Sequence, residues 1–157
     1  MSLQGKVAVV TGGATGIGLG IAEVLAARGV HLALVQRSQQ RLREAAAMFR
    51  ETSEVLTFSL SIADRAAVDR MVHDVEKHFG RIDILVNNAS VTGTPALSNF
   101  LDCSQEHIDA VIDTNLKGTF YCSQAVARAM VERGEGGSIL HISSVGAYAA
   151  QEHASLY

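Results

Sequence analysis

Eight residues near the amino terminus, Thr11–Gly18, form the glycine-rich segment TGGATGIG, whose composition suits the binding of a phosphate group. Gly12 can adopt backbone angles closed to other residues, so the chain can reverse sharply there. Gly16 has no side chain to keep a pyrophosphate away from the backbone, and Gly18 lets a following helix pack closely on the preceding strand. Free N–H groups at the helix N-terminus attract phosphates. The segment predicts a dinucleotide-binding turn; the alternative is a glycine-rich turn without a ligand.

The predicted second strand ends in Gln36, which Arg37 follows. In NAD-specific sites a carboxylate about 20 residues beyond the glycines binds the ribose hydroxyl, whereas this chain has a neutral amide beside a guanidinium. A guanidinium can form charge-assisted hydrogen bonds with a 2′-phosphate, and Thr15 and Ser38 can add hydroxyl contacts. The pattern therefore favours NADP(H) over NAD(H). The alternative is that Arg37 is a solvated surface charge.

Strand and helix patterns alternate along the whole chain and position these residues. Short apolar runs predict five strands, at Val7–Val10, His31–Gln36, Val55–Leu60, Ile82–Val86 and Ser138–Ile142. Helical spacing of apolar residues predicts a helix from near Gly16 to about Arg28, one capped by Ser38, and one from Asp64 to Gly80. A longer helical pattern places Ile108, Leu116, Phe120 and Met130 among its inward residues.

Strands that alternate with helices predict an α/β fold, a Rossmann-type doubly wound parallel sheet with right-handed crossovers. The expected strand order is 3-2-1-4-5 as far as the chain goes. In such sheets the ligand lies beyond the carboxyl ends of the strands. The turns after all five strands should therefore surround one crevice.

Asn115 falls on the inward stripe of the long helical pattern. A buried amide without partners costs about 1–3 kcal/mol, so this side chain must form hydrogen bonds. One interpretation is a core asparagine that bonds to helix backbone. The other is a locally bent helix whose amide organises water in an active site.

The glycine spacing, Gly-x-x-x-Gly-x-Gly, resembles that of the short-chain dehydrogenase/reductase family. Three later segments strengthen the resemblance, Asn87–Ser90, Asp113–Gly118 and Ile142–Ser144, and Tyr157 follows Ser144 by thirteen residues. The likeness runs from about Gly5 to the last residue. It implies the family's NAD(P)-binding fold and an oxidoreductase that interconverts an alcohol and a ketone or aldehyde.

The resemblance implies three catalytic residues. Tyr157 corresponds to the family's general acid/base, Ser144 to the serine that orients the substrate, and Asn115 to the asparagine that supports a proton-relay water. Tyr148 follows Ser144 too closely to take the tyrosine's role. The pKa of an unperturbed tyrosine is near 10, so a cation must lower it. The family uses a lysine four residues after the tyrosine, which has no counterpart in the 157 residues.

The resemblance also implies a set of nucleotide-binding residues. Ser61 stands where the family usually has an aspartate that meets the adenine, so this chain would make a weaker contact there. Ser90 replaces a glycine, so the loop after the fourth strand can differ from the family's. The implied residues are Gly12, Thr15, Gly16, Ile17, Gly18, Arg37, Ser38, Ser61, Ile62, Asn88 and Ala89.

Composition excludes several other classes of protein. The apolar fraction is 48%, and the net charge of −3 gives no electrostatic case for binding nucleic acid or an acidic membrane. No apolar run approaches the ~20 residues of a membrane helix, and no signal peptide is recognisable. Cys103 and Cys122 lack metal or redox spacing and predict free thiols in the cytoplasm. The scattered histidines predict no metal site.

The leading hypothesis is an NADP(H)-dependent oxidoreductase that acts on a small alcohol or carbonyl compound and forms a homodimer or homotetramer when full-length. Residues 1–157 are expected to form one NAD(P)-binding domain, truncated on its C-terminal side. The alternative is a non-catalytic dinucleotide-binding module with a regulatory or scaffolding role, or an inactive fragment, because the family lysine is absent.

Overall fold

A computed structural model describes residues 2–92, 99–149, 154 and 156. Five parallel strands form one sheet in the order β3-β2-β1-β4-β5, which confirms the predicted order. Each predicted strand begins and ends within two residues of the observed one. The strands are β1 (Val7–Thr11), β2 (His31–Gln36), β3 (Val55–Ser59), β4 (Ile84–Asn87) and β5 (Ser138–His141).

Helices connect successive strands and cover both faces of the sheet. Ser38 caps the second helix by accepting a hydrogen bond from the N–H of Arg41, and Asp64 caps the third by accepting one from Ala67. Gly80 ends the third helix in the left-handed conformation that favours glycine. The helices are α1 (Gly16–Ala26), α2 (Gln39–Met48), α3 (Arg65–Phe79), α4 (Gln105–Val111) and α5 (Thr119–Arg133).

The two faces of the sheet bury separate apolar layers. In β1, Val7 and Val9 pack in the layer formed with α3 and α5, whereas Ala8 and Val10 pack in the layer formed with α1 and α2. Alternate residues of a strand point to opposite faces, so a strand buried on both sides is a continuous apolar run. This burial is why the short apolar runs of the sequence predict the sheet.

The long helical pattern is interrupted by a π-helical segment, Ile112–Gly118, between α4 and α5. This segment has more residues per turn than an α-helix, so the 100° spacing assumed from the sequence fails across it. Leu116 and Phe120, which the sequence places on the inward stripe, are 62% and 61% exposed. That part of the prediction is wrong, whereas Val126 and Met130, beyond the segment, are buried as expected.

A charged network closes the end of the sheet where the strands begin. The Asp83 carboxylate, which precedes β4, accepts hydrogen bonds from the N–H of Val7 at 3.0 Å, from Lys6 at 3.2 Å and from Arg81 at 2.6 and 2.8 Å. Arg133, the last residue of α5, lies 3.4 Å away. Burial alone would raise the pKa of Asp83, but these donors outweigh it and lower the pKa from 3.8 to about 2. The network therefore joins β1, β4 and α5.

We expect replacement of Asp83 by asparagine to lower the free energy of unfolding by about 3 kcal/mol at pH 7, because Lys6, Arg81 and Arg133 lose the charged acceptor that they share, and hydrogen bonds to charged groups contribute about 1.5–3 kcal/mol. The depressed pKa of Asp83 stabilises the fold above about pH 4, and this contribution of about 2 kcal/mol disappears as pH falls to about 2. The difference in the free energy of unfolding between the wild type and the Asp83→Asn variant should therefore shrink as the pH falls over that range. Urea unfolding of the intact protein at several pH values measures it.

Asp69→Asn is the matched control, because Asp69 pairs with Arg65 on the exposed surface of α3. Surface pairs contribute about 0–1 kcal/mol. Equal losses of unfolding free energy in the Asp83→Asn and Asp69→Asn variants would contradict the stabilising role of Asp83.

Two observations bear on the predictions of free thiols and of a chain without a membrane helix. Cys103 and Cys122 are both free, and burial raises the pKa of the Cys122 thiol to about 12, so that thiol stays protonated. Within the part of the chain that the structure describes, every helix is too short or too polar to cross a membrane.

Candidate functional site

One cleft of about 320 Å³ lies at the carboxyl ends of the strands, where the sequence predicts a ligand. Its volume falls within the range of roughly 300–1,000 Å³ common for ligand sites. The turns that follow all five strands contribute to its wall, through residues that include Gly12, Arg37, Ser61, Asn88 and Ile142. The structure therefore brings the five turns together.

Eight of the eleven predicted nucleotide-binding residues line this cleft. The three others, Gly16, Gly18 and Ser38, are absent from its lining. Gly16 and Gly18 belong to the first turn of α1, beside Thr15 and Ile17, which do line it. The eight are Gly12, Thr15, Ile17, Arg37, Ser61, Ile62, Asn88 and Ala89.

Glycine is required at the positions of this turn for different structural reasons. A Cβ at Gly18 would collide with the carbonyl oxygen of Gly12 and lie 2.5 Å from the Asn88 amide nitrogen, so only glycine fits between α1 and β1. Gly12 and Gly16 adopt φ of +66° and +54°, which disfavour any residue with a Cβ. No atom lies within 4 Å of a Cβ built at Gly16, so this position faces open space. A pyrophosphate fits such a bare backbone at a helix N-terminus.

Thr11 and Asn88 tie the glycine turn to the loop after β4. The Thr11 hydroxyl accepts hydrogen bonds from the N–H groups of Asn88 and Ala89, both at 3.0 Å, and donates to Val86 O at 3.3 Å. The Asn88 amide donates to Thr11 O at 3.0 Å and to Gly12 O at 3.3 Å. Asn88 thus holds the shape of a turn that is 76 residues away in the sequence. The sequence assigned no function to Thr11, although it opens the glycine segment.

At the end of β2, the Gln36 amide spans the gap to the glycine turn. Its Nε2 donates to Thr15 Oγ1 at 3.3 Å, and its Oε1 accepts from the Arg37 N–H at 3.1 Å. The Arg37 side chain is exposed, and no carboxylate lies among the described residues that line the cleft. Ser38 Oγ accepts from the Arg41 N–H, so this hydroxyl is engaged in capping α2.

Asn115 lies beside the cleft: it is absent from the lining, to which its neighbour Thr114 and its hydrogen-bond partner Val91 contribute. Its Oδ1 accepts from the N–H of Val91 at 2.7 Å, and its Nδ2 donates to the carbonyl of Val91 at 3.1 Å. The amide therefore bonds to the loop after β4 and not to helix backbone, and it lies in the irregular segment that a bent helix predicts. One lone pair of Oδ1 and one hydrogen of Nδ2 remain for water.

The two serines after β5 have different positions. Ser143 lines the cleft, whereas Ser144 caps a short 3₁₀ turn, Val145–Ala147, by accepting from the Gly146 N–H at 3.1 Å. An accepting hydroxyl keeps its own hydrogen free to donate. Tyr157, the third predicted catalytic residue, lies outside the described residues.

A family model described as short chain dehydrogenase matches residues 6–157. The chain belongs to the short-chain dehydrogenase family. The glycine turn and the cleft described above both lie within the residues that the family model matches.

Individual members of this short-chain dehydrogenase family are clearly similar to the chain. An uncharacterized oxidoreductase of Staphylococcus saprophyticus is 35% identical over 100% of this chain and 66% of its own. Galactitol 2-dehydrogenase of Agrobacterium fabrum is 34% identical over 100% of this chain and 59% of its own. The crystal structure of an NAD⁺-bound xylitol dehydrogenase superposes with a TM-score of 0.93 at 30% identity, over 100% of this chain and 60% of that one. The chain thus spans about three fifths of the length of these relatives.

Proposed function

We propose that the protein is an NADP(H)-dependent oxidoreductase that interconverts an alcohol and a ketone or aldehyde. The observation that carries this proposal is the glycine turn, which Asn88 holds at Gly12 and which is open at Gly16, beside a cleft that Thr114 and Ser143 also line. Asn115 follows Thr114 and Ser144 follows Ser143 in the chain, so the proposed nucleotide site and the proposed reaction site adjoin. Relatives with the names galactitol 2-dehydrogenase and xylitol dehydrogenase support a reaction at an alcohol carbon.

The chain's own residues would divide the chemistry between them. The nicotinamide, when bound, supplies or accepts a hydride. Ser144 would orient the carbonyl with its free hydroxyl hydrogen, and Tyr157 would give or take the proton at the substrate oxygen. Asn115 would hold a water for proton exchange with solvent while it fixes Val91. Near pH 7 a tyrosine acts as a base only if a nearby cation lowers its pKa.

The preference for NADP(H) is inferred from Gln36 and Arg37. Gln36 is neutral, and Thr15 and the Arg37 N–H both engage its amide, so it presents no charge that would repel a 2′-phosphate. The exposed Arg37 guanidinium is free to turn toward that phosphate, which it can bind through two hydrogen bonds. The NAD⁺ in the xylitol dehydrogenase structure describes that protein's cofactor.

The test is a turnover screen of the intact protein with NADPH and NADH over ketones, aldehydes and keto sugars, repeated with Arg37→Ala. We expect turnover with NADPH on at least one carbonyl class, and a loss of about 10- to 100-fold in kcat/KM for NADPH in the variant, against less than threefold for NADH. Equal losses with both cofactors would contradict the assignment of Arg37. NADPH binding without turnover of any compound would favour a non-catalytic binding module.

We also propose that the full-length protein is a homodimer or homotetramer located in the cytoplasm. Leu116, Phe120 and Val131 expose apolar side chains along the α5 side of the structure, which a second copy would cover. The two free cysteines support a reducing compartment. We infer further that these residues form one NAD(P)-binding domain, and they span about three fifths of the length of the relatives. The molar mass of the intact protein in solution, by light scattering, tests the assembly.

A further inference from the structure

The loop after β3 packs directly on the π-helical segment. A Cβ built at Gly118, the last residue of that segment, would lie 2.7 Å from Ile62 Cγ1 and 3.1 Å from the Ile62 carbonyl carbon. The Ile62 side chain is 4% exposed. The backbone of the π-helical segment therefore packs against the side chain and backbone of Ile62. A residue larger than glycine would not fit at Gly118.

A second contact lies next to the one between Ile62 and Gly118. The Arg65 guanidinium, at the start of α3, lies 5.4 Å from the ring centroid of Tyr121, three residues after Gly118. Both oxygens of Asp69 hold that guanidinium, at 3.0 and 2.9 Å. The start of α3 and the start of α5 are thus also in contact, three residues beyond the Ile62–Gly118 contact in both segments.

The loop after β3 and the π-helical segment both contribute residues to the lining of the cleft. Ser61 and Ile62 line it where the nucleotide is expected. Asn115 lies three residues before Gly118 and bonds through both amide atoms to Val91, which lines the cleft together with Thr114. A π-helical segment is intrinsically less favourable than an α-helix, so its position depends on what packs against it.

We propose that Ile62 is a positioning residue that transmits nucleotide binding to the segment that carries Asn115. A nucleotide that contacts the loop after β3 restrains Ile62, Ile62 restrains Gly118, and the π-helical segment then holds Asn115 against Val91. This inference rests on the proposed function only in requiring that the cleft binds a dinucleotide. Ile62 would thus act as a positioning residue, a role that an apolar residue type does not by itself indicate.

The experiment measures amide hydrogen exchange in the intact protein with and without saturating ADP. ADP carries adenine, ribose and pyrophosphate but no nicotinamide, so it can occupy only the nucleotide end. We expect ADP to slow exchange of the amides in 112–118 about fivefold or more in the wild type, because a restrained segment opens less often. Calorimetric titration of the same protein establishes the ADP concentration needed for saturation.

Ile62→Ala should abolish this remote protection when it is compared with the wild type at an ADP concentration that calorimetric titration shows to saturate the variant, whatever its own affinity for ADP. Ile82→Ala is the matched control, because Ile82 is equally buried but lies at the other end of the sheet, before β4. It should retain the full protection. Ile62→Val, which removes only the terminal methyl, should retain part of it, and this variant serves if Ile62→Ala does not fold.

The outcomes separate this inference from the proposed function. If ADP binds but leaves exchange in 112–118 unchanged, or if Ile62→Ala responds like the wild type, the role of Ile62 is overturned and the nucleotide site remains. If ADP does not bind the wild type, the nucleotide site itself is wrong, and the inference fails with it.

Discussion

Replacement of Tyr157 by phenylalanine should reduce kcat by about 10²–10⁴-fold, which is the usual contribution of a positioned general acid or base. Phenylalanine keeps the ring and its packing but cannot carry the proton, so the affinity for NADPH should change less than threefold. Steady-state kinetics on a carbonyl substrate found in the turnover screen, together with fluorescence titration of NADPH, measure both quantities in the intact protein.

Tyr148→Phe makes the same change at a neighbouring tyrosine. Tyr148 is 96% exposed and lies only four residues after Ser144, so its hydroxyl should be dispensable. Full activity in Tyr157→Phe, or an equal loss in Tyr148→Phe, would remove Tyr157 from the mechanism. Loss of both turnover and NADPH affinity in Tyr157→Phe would indicate a structural defect.

Gly18→Ala should weaken NADPH binding by about 100-fold or more. A single methyl group at this position would collide with Gly12 O and the Asn88 amide, the two groups that define the turn. Either α1 moves away from β1 or Asn88 releases the turn, and each displaces the N–H groups that face a pyrophosphate. Fluorescence titration of NADPH against the purified variant measures the loss.

Gly20→Ala is the control within the same helix. A Cβ at Gly20 meets no atom within 4 Å, and alanine favours a helix over glycine by about 1 kcal/mol. We expect unchanged NADPH affinity and a slightly higher melting temperature. If the two alanine variants bind NADPH equally well, the close approach at Gly18 is not what shapes the site.

The features that the sequence predicted well are those that depend on neighbouring residues. Apolar runs predicted the sheet because its strands are buried on both faces, and Ser38 and Asp64 predicted helix starts because their side chains cap the adjacent turn. These signals lie within one turn or one strand of the residue concerned. The strand order needed more: the alternation predicted a parallel sheet, and the dinucleotide-binding turn favoured the Rossmann-type order.

The features that the sequence missed depend on contacts between distant segments. The π-helical segment rests on Ile62, about fifty residues earlier in the chain, so no periodicity within the helix reveals it. The shift in phase that it causes is why Leu116 was placed inward. Phe120 lies within α5, on the face opposite to the buried Cys122 and Val126, so its placement was an error of the pattern itself. Likewise, the hydrogen bonds of Thr11 to Asn88 and of Gln36 to Thr15 join turns that only the folded sheet brings together.

The sheet places the Asp83 network and the nucleotide turn at its opposite ends. β1 connects them and has five residues, a length of about 16 Å at roughly 3.3 Å per residue. Effects on stability add when sites are separated by more than about 10 Å and share no partner. Evolution can therefore compensate a costly change in the cleft with a stabilising one among the charges, without disturbing ligand recognition.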